Sequence, residues 1–331
     1  MKQKKTLFGI RQIISFSTIT LLIILLCFPS SSLVGAEKGV MLWFNVICPT
    51  LLPFVIVSRL IINLNLTSSI TKLFYPLFHR IFAVSRHGCY VAIIGLLTGL
   101  PVGAKSCADL VKNGLITKKE GQYLLTFCNN ASPMFIISYV GITTLHLPGS
   151  KYIFLLLIYS AAFLTSFSYR LLHRERKQPK TAVHEYKEDA LLCAMELGES
   201  SSANRLSFTV VDDAIMNGFD VLTRVGGYII LFSILSNVII SIAPENNIFS
   251  YLTVGILEIT NGVNAIGAST FDVNIKIALI LSLTSFGGFS SIAQTKSVID
   301  DSGLSIKNYT FYKLINAGLT FLLTFIYINI M

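Results

Sequence analysis

The sequence has few charged residues and no paired cysteine motif. Only 13% of its 331 residues are charged, whereas 53% are hydrophobic, and the mean hydropathy is +0.68. The six cysteines are scattered, with no Cys-x-x-Cys pair and no grouping with the five histidines. This spacing argues against a zinc site and against a disulfide framework. The composition is that of an integral membrane protein.

A nucleotide-binding loop is also absent. The segment GLPVGAKS resembles one, but a P-loop needs four residues between its glycines and a glycine directly before the lysine. Here only three residues separate Gly99 from Gly103, and Ala104 stands before Lys105. We therefore expect no nucleotide hydrolysis and interpret the chain as a non-enzymatic protein without a cofactor or a metal ion.

The net charge of +9 is concentrated beside apolar segments. Four basic residues lie within the first eleven, and five more lie between Arg170 and Lys180. Basic residues that flank membrane helices mark the cytoplasmic side, so nucleic acid is not an expected partner. Both termini and a polar linker at 173–207 are predicted to be cytoplasmic, and Pro244–Asn247 is predicted to be outside.

Five stretches are apolar and long enough to cross a hydrocarbon core, which needs about 20 helical residues. They are Ile13–Leu33, Val40–Leu64, Tyr152–Tyr169, Val221–Ile242 and Leu314–Ile330. The first also fits a signal peptide, because small residues follow it at Val34–Ala36. We interpret residues 1–36 as a retained transmembrane helix or uncleaved signal-anchor. The linker then divides the remainder into two halves, 37–172 and 208–331.

The two halves carry short matches in the same order. FNV at 44–46 corresponds to FDV at 219–221, and TGLPVGAK at 98–105 corresponds to SFGGFSSIAQ at 285–294. The charge pattern directs the long helix of one half inward and that of the other half outward. The halves are therefore predicted to be inverted repeats.

Tyr90–Lys105 and Ile277–Gln294 are predicted to be re-entrant hairpins that turn back at their glycines. The segment around Glu258 is predicted to leave the membrane by the face at which it enters.

Small and polar residues interrupt the apolar runs at four places. These are Gly99–Gly103, the CNNASP segment at 128–133, Glu258–Asn264, and Gly287–Gly288 with the serines that follow. Broken helices in two inverted halves are typical of secondary transporters, in which the solute binds near the membrane midplane. Each single break also fits a simple kink or a packing site. Four breaks distributed over both halves favour a binding site.

The polar and glycine positions of these breaks are the candidate substrate-binding residues. They are Gly99, Pro101, Gly103, Lys105, Asn129, Asn130, Ser132, Asn261, Gly287, Gly288 and Ser290. Glu258 is the candidate ion-coupling residue, because a carboxylate in an apolar segment usually marks an ion or proton pathway. Alternatively, Glu258 lies at a shallow depth in the membrane, where its carboxylate reaches water. Lys105 is either the counter-charge for an anionic solute or a cytoplasmic anchor, and coupling to Na+, to H+ or to no ion stays open.

The motifs GLPVGAK, FCNNASPMFI, ILEITNG and SFGGFSS resemble the sporulation integral membrane proteins of the YlbJ type, which belong with the nucleoside-recognition or Gate-domain proteins. The resemblance runs from about Val40 to Tyr327. It implies an all-α polytopic membrane protein with an inverted repeat, broken helices and re-entrant hairpins, distantly similar to concentrative nucleoside transporters. It also implies a place in the cell membrane or the outer forespore membrane of a spore-forming bacterium.

The function implied by this resemblance is transport of dipicolinic acid toward the forespore during sporulation. Helix N-termini and Lys105 would face the carboxylates of this dianion, and Asn129 and Asn130 would bind its ring nitrogen or oxygens. A nucleoside would suit the same amides, and a non-transporting Gate-domain scaffold is the alternative from another class. The expected partners are the solute and the lipid bilayer, and a homo-oligomer is left open.

Overall fold

The computed structural model describes residues 15–16, 18–64, 66–173, 208–243 and 247–330. It is 86% helical and has no strand in these ranges, which confirms an all-α polytopic membrane protein. Five runs there are long and apolar enough to cross a membrane: Pro29–Asn63, Lys151–Leu172, Phe208–Ile242, Val273–Ser302 and Ile306–Ile330. Most of the predicted linker and the basic N-terminal residues lie outside the described ranges.

The part before the linker forms eight helices in the described residues. They are α1 (Thr18–Cys27), α2 (Pro29–Asn63), α3 (Thr67–Phe82), α4 (Arg86–Thr98), α5 (Val102–Lys112), α6 (Lys118–Leu124), α7 (Phe135–Thr144, a π-helix) and α8 (Lys151–Leu172). A 95° bend separates α3 from α4.

The part after the linker forms six helices in the described residues. They are α9 (Phe208–Ile242), α10 (Ile248–Leu257), α11 (Ile259–Ala268), α12 (Val273–Phe286), α13 (Gly288–Ile299) and α14 (Ile306–Ile330).

Helix α2 runs through residue 36, the predicted end of the N-terminal segment, and the helical chain is interrupted at Phe28. Gly35 and Gly39 do not form a turn. A Cβ at Gly35 would come within 2.8 Å of the Ile234 Cα atom, and one at Gly39 within 2.9 Å of the Ile230 Cα atom. Small residues let helix backbones approach closely in membranes. These glycines therefore serve the packing of α2 against α9.

The first predicted hairpin turns back as expected. Its helices, α4 and α5, are joined at Gly99–Pro101, and Gly95 lies directly beside Gly103. The segment around Glu258 also turns back, because α10 and α11 touch each other through Gly255 and Gly262. These two hairpins bring the tips of their turns into the interior.

The second predicted hairpin, at Ile277–Gln294, is wrong. Val273–Ser302 forms a single candidate span that is interrupted but not reversed at Gly287 (φ +88). Its first part follows α14, where Ser282 donates to the Ala317 carbonyl at 3.0 Å. Its end lies beside α5, where Asp301 is 3.7 Å from Lys112. Contacts at both ends hold this run extended.

The two ends of α14 lie at different ends of the bundle. Tyr312, near the start of α14, is 3.5 Å from His173 at the end of α8. Ile328, near the other end, packs into a cluster with Leu147 and Leu155. The 25 residues of α14 span about 37 Å, so its end lies far from His173, where the linker begins. His173 and Ile328 therefore lie at opposite ends of the bundle.

Candidate functional site

The four predicted breaks meet in the interior of the bundle. The tip of the α4–α5 hairpin binds the CNNASP segment, since the Leu100 N–H donates to the Asn130 carbonyl at 2.8 Å. The Cys128 carbonyl lies between Gly95 and Gly103, and a Cβ on either glycine would overlap it. Gly288 lies against the other hairpin, with the Ile259 nitrogen 3.2 Å from where its Cβ would be.

Asn129 joins the CNNASP segment to three helices. Its Oδ1 accepts from the Ala104 N–H in the first turn of α5 at 3.2 Å. Its Nδ2 donates to the Thr295 hydroxyl at 3.0 Å and to the Tyr309 hydroxyl at 2.9 Å. The side chain is fully buried. Asn129 therefore satisfies an unpaired helix N-terminus and anchors the break to α13 and α14.

Asn130 is also engaged within the protein. Its Nδ2 donates to the Phe127 carbonyl at 2.7 Å. Its Oδ1 accepts from Lys313 Nζ at 2.9 Å and from Asn316 Nδ2 at 3.2 Å. The two amides thus stabilise the break itself, and they line neither of the two cavities described next.

A cavity of about 70 Å³ lies where the hairpin tips meet, and we call it the inner cavity. Its polar lining comes from α2 and from several broken elements: Thr50, Thr98, Ser132, Glu258, Thr260, Ser290, Ser291 and Gln294. Gly287 also lines it. This volume holds only a few water molecules and is far below the roughly 300 Å³ of small-molecule pockets.

Glu258 is the acidic residue of the inner cavity and is only 1% exposed. It caps α11: one carboxylate oxygen accepts from the Asn261 N–H at 2.8 Å and from the Asn261 amide at 2.8 Å. The other oxygen accepts from the Thr260 hydroxyl at 3.1 Å. No Lys, Arg or His in the described ranges forms an ion pair with it. Glu258 therefore lies inside the protein rather than on its surface.

A second cavity of about 250 Å³ contains three basic side chains, and we call it the basic cavity. Arg59, Lys105 and Lys112 line it together with one acidic residue, Asp109. Asp109 lies in the electrostatic field of all three cations. The basic cavity therefore carries a net positive charge.

The two cavities lie one helical turn apart along the same helices. On α2, Leu51 lines the inner cavity and Val55 lines the basic cavity. On α9, Val225 lines the inner cavity and Val221 lines the basic one. Because four residues span about 6 Å of helix, a thin layer of side chains separates the cavities.

The structure divides the predicted site residues into three groups. Ser132, Glu258, Gly287 and Ser290 line the inner cavity, and Lys105 lines the basic cavity. Asn129, Asn130 and Asn261 are hydrogen-bonded within the protein, the last also to the Ser233 hydroxyl at 2.6 Å. Gly99, Pro101, Gly103 and Gly288 shape the turns and line neither cavity.

Sequence reasoning missed a buried polar row on α14. Lys313 is 1% exposed, yet the predicted span began one residue later, at Leu314. The row consists of Tyr309, Lys313, Asn316, Thr320 and Thr324, all buried. Its spacing of three and four residues places these side chains on one helix face. This periodicity was the signal that could have identified the row.

Comparison with known proteins gives one informative match. The chain is 27% identical over 315 residues to the sporulation integral membrane protein YlbJ of Bacillus subtilis (strain 168). The alignment covers 87% of this chain and 75% of that protein. No family model and no solved structure matches. This relative confirms the predicted resemblance to the sporulation integral membrane proteins of the YlbJ type.

Proposed function

We propose that this protein is a transporter that moves dipicolinic acid across the outer forespore membrane toward the forespore. The observation that carries this proposal is the basic cavity, one helical turn from an inner cavity at which broken helices meet. Interrupted helices around a central site are typical of secondary transporters, and the similarity to YlbJ supports a role in sporulation.

The charges of the basic cavity favour an anionic solute. Dipicolinate is a small aromatic dianion, and its two carboxylates can bind Arg59, Lys105 and Lys112. Hydrogen bonds from arginine or lysine to a carboxylate are stronger than hydrogen bonds between neutral groups. The volume of about 250 Å³ is close to the lower limit of small-molecule pockets.

The inner cavity forms the barrier on the proposed route. Its volume of about 70 Å³ requires the hairpin tips at Leu100 and Glu258 to separate before a solute passes. The Glu258 carboxylate would also repel a dianion in this low-dielectric interior. We therefore expect passage of the solute to be accompanied by a cation or a proton.

Uptake by proteoliposomes that contain the purified protein tests the proposal. We expect uptake of labelled dipicolinate but not of labelled uridine. Uridine uptake in place of dipicolinate uptake would favour the nucleoside alternative, and uptake of neither would favour a membrane scaffold.

Substitutions in the basic cavity test the role of its charges. Loss of one charge-assisted hydrogen bond, worth about 1.5–3 kcal/mol, should weaken dipicolinate binding about 10- to 150-fold in Lys105→Gln and Arg59→Gln proteins. Lys307→Gln is the matched control, because Lys307 is exposed on α14 and lines neither cavity. Equal uptake by all three variants would contradict an anion site here.

A further inference from the structure

Lys313 is a buried cation without an acidic partner. Its Nζ atom donates to the Asn130 side-chain oxygen at 2.9 Å and to the Asn129 carbonyl at 3.2 Å. Among the described residues, no carboxylate lies within 4.0 Å of this ammonium. Burial of an unpaired charge is costly, and an ionisable residue within a membrane bundle usually has a function.

The groups around Lys313 offer no compensating charge. The Cys128 thiol interacts electrostatically with Lys313, and the Tyr309 hydroxyl binds the neighbouring Asn129. The neighbouring helix α8 carries Arg170, which donates to the Ile81 carbonyl, and α12 carries Lys276, which donates to the Gly267 carbonyl. On α13, Lys296 pairs with Asp300. The ammonium is therefore held by neutral oxygens of the CNNASP segment.

A row of buried oxygens continues from Lys313 along α14. Asn316, Thr320 and Thr324 follow on the same face and are fully buried. Within the described structure, Asn316 Oδ1 and Thr324 Oγ1 have no hydrogen-bond partner, and neither has Thr284 Oγ1 on α12. Lys313 and Thr324 are about 16 Å apart along the helix. Unsatisfied buried acceptors are rare in proteins, so these oxygens need an explanation.

We propose that Lys313 is an ion-coupling residue of this transporter, in addition to Glu258, and that the ion it couples is a proton. This inference rests on the proposed transport function. The protonated ammonium holds Asn130 and the Asn129 carbonyl against α14, while the Asn130 carbonyl holds Leu100 at the hairpin tip. When the ammonium releases H+ along the oxygen row, the remaining amine loses its charge-assisted bonds. The break then separates from α14, and the hairpin tip is free to move.

The reactivity of Cys128 tests the structural part of this proposal without transport. Cys128 is the fully buried first residue of the CNNASP segment, so a protein that retains only this cysteine should react slowly with a maleimide in detergent. At one pH, we expect Lys313→Met to increase the labelling rate at least tenfold. Lys307→Met, an exposed lysine on the same helix, is the matched control and should leave the rate unchanged. Equal rates in folded Lys313→Met and parent proteins would overturn the proposal.

Proton movement in proteoliposomes tests the coupling on the unmodified protein, so the test does not depend on the folding of any variant. In sodium-free buffer, with a pH-sensitive dye inside, dipicolinate uptake should move protons. Uptake that needs Na+ and moves no proton would overturn the role of Lys313 and leave the transport function intact. Absence of any dipicolinate or uridine uptake, with any ion, would overturn the proposed function and the coupling with it.

Discussion

At the scale of single residues, Glu258 combines two roles that substitution can separate. Its carboxylate caps the N-terminus of α11, and it also presents a negative charge to the inner cavity. A cap needs only a hydrogen-bond acceptor, and serine serves as well as a carboxylate at this position. Coupling to a cation or proton that accompanies the solute, in contrast, needs the negative charge of Glu258.

We predict that Glu258→Ser retains the fold but loses most uptake. Serine can keep the cap, so the unfolding temperature in detergent should fall only slightly. Uptake of labelled dipicolinate by proteoliposomes should fall at least tenfold, and Glu258→Gln should behave similarly. Wild-type uptake by both variants would show that Glu258 serves only as a cap.

Asn129 differs from Glu258 because it lines neither cavity, whereas Glu258 lines the inner cavity. Asn129→Ala leaves Ala104 N–H, Thr295 and Tyr309 without their shared partner. An unsatisfied buried group costs about 1–3 kcal/mol, so we expect a clear decrease in the unfolding temperature and in the amount of protein in the membrane. Asn329→Ala, which changes an exposed amide on α14, is the control. Normal stability with lost uptake would instead support the solute-binding role expected from the sequence.

At the scale of secondary-structure elements, the α4–α5 hairpin and the CNNASP segment depend on each other. The hairpin closes around the Cys128 carbonyl only because Gly95 and Gly103 have no side chain there. The hairpin tip in turn satisfies a carbonyl that the break leaves unpaired, through Leu100 N–H and Asn130 O. Non-helical backbone at membrane depth must be satisfied by such internal contacts.

We predict that Gly103→Ala and Gly95→Ala each destabilise the protein. The added methyl group would overlap the Cys128 carbonyl, and overpacking of this kind typically costs about 1–3 kcal/mol. Gly227→Ala is the matched control, because no atom lies within 4 Å of its added Cβ and alanine favours a helix. The unfolding temperature in detergent should fall for the first two variants and remain or rise for the third. An unchanged value for Gly103→Ala would contradict the observed packing.

At the scale of the whole molecule, the crossings determine which ends face the same side of the membrane. The antiparallel packing of α8 and α14 places His173 beside Tyr312 and far from Ile328. The basic residues that follow α8 predict a cytoplasmic linker. The C-terminal end of α14 should therefore be outside.

Cysteine labelling with an impermeant reagent in intact cells tests this topology. In a protein without its own cysteines, cysteines introduced by Asn329→Cys and Asn247→Cys should both be labelled from outside. Cys193, which belongs to the linker and lies outside the described residues, should be labelled only after permeabilisation when it is the single cysteine. Protection of Asn329→Cys in intact cells would restore the original prediction of a cytoplasmic C-terminus.

The sequence by itself determined the class of the protein, most of its spans and the places where its helices break. Hydropathy and charge placement are local properties, so Tyr152–Tyr169 and the breaks at Gly99, Asn129, Glu258 and Gly287 were predictable. The tertiary structure decided what each break does. Gly99 forms a turn, whereas Gly35 forms a contact between helices. The sequence does not distinguish these two roles, because they depend on the backbone that lies next to each glycine. Likewise, the sequence places Lys313 just before a predicted membrane span. In the structure, α14 packs against the CNNASP segment and buries Lys313. Burial depends on neighbours that are distant in the chain, so the sequence alone did not predict it.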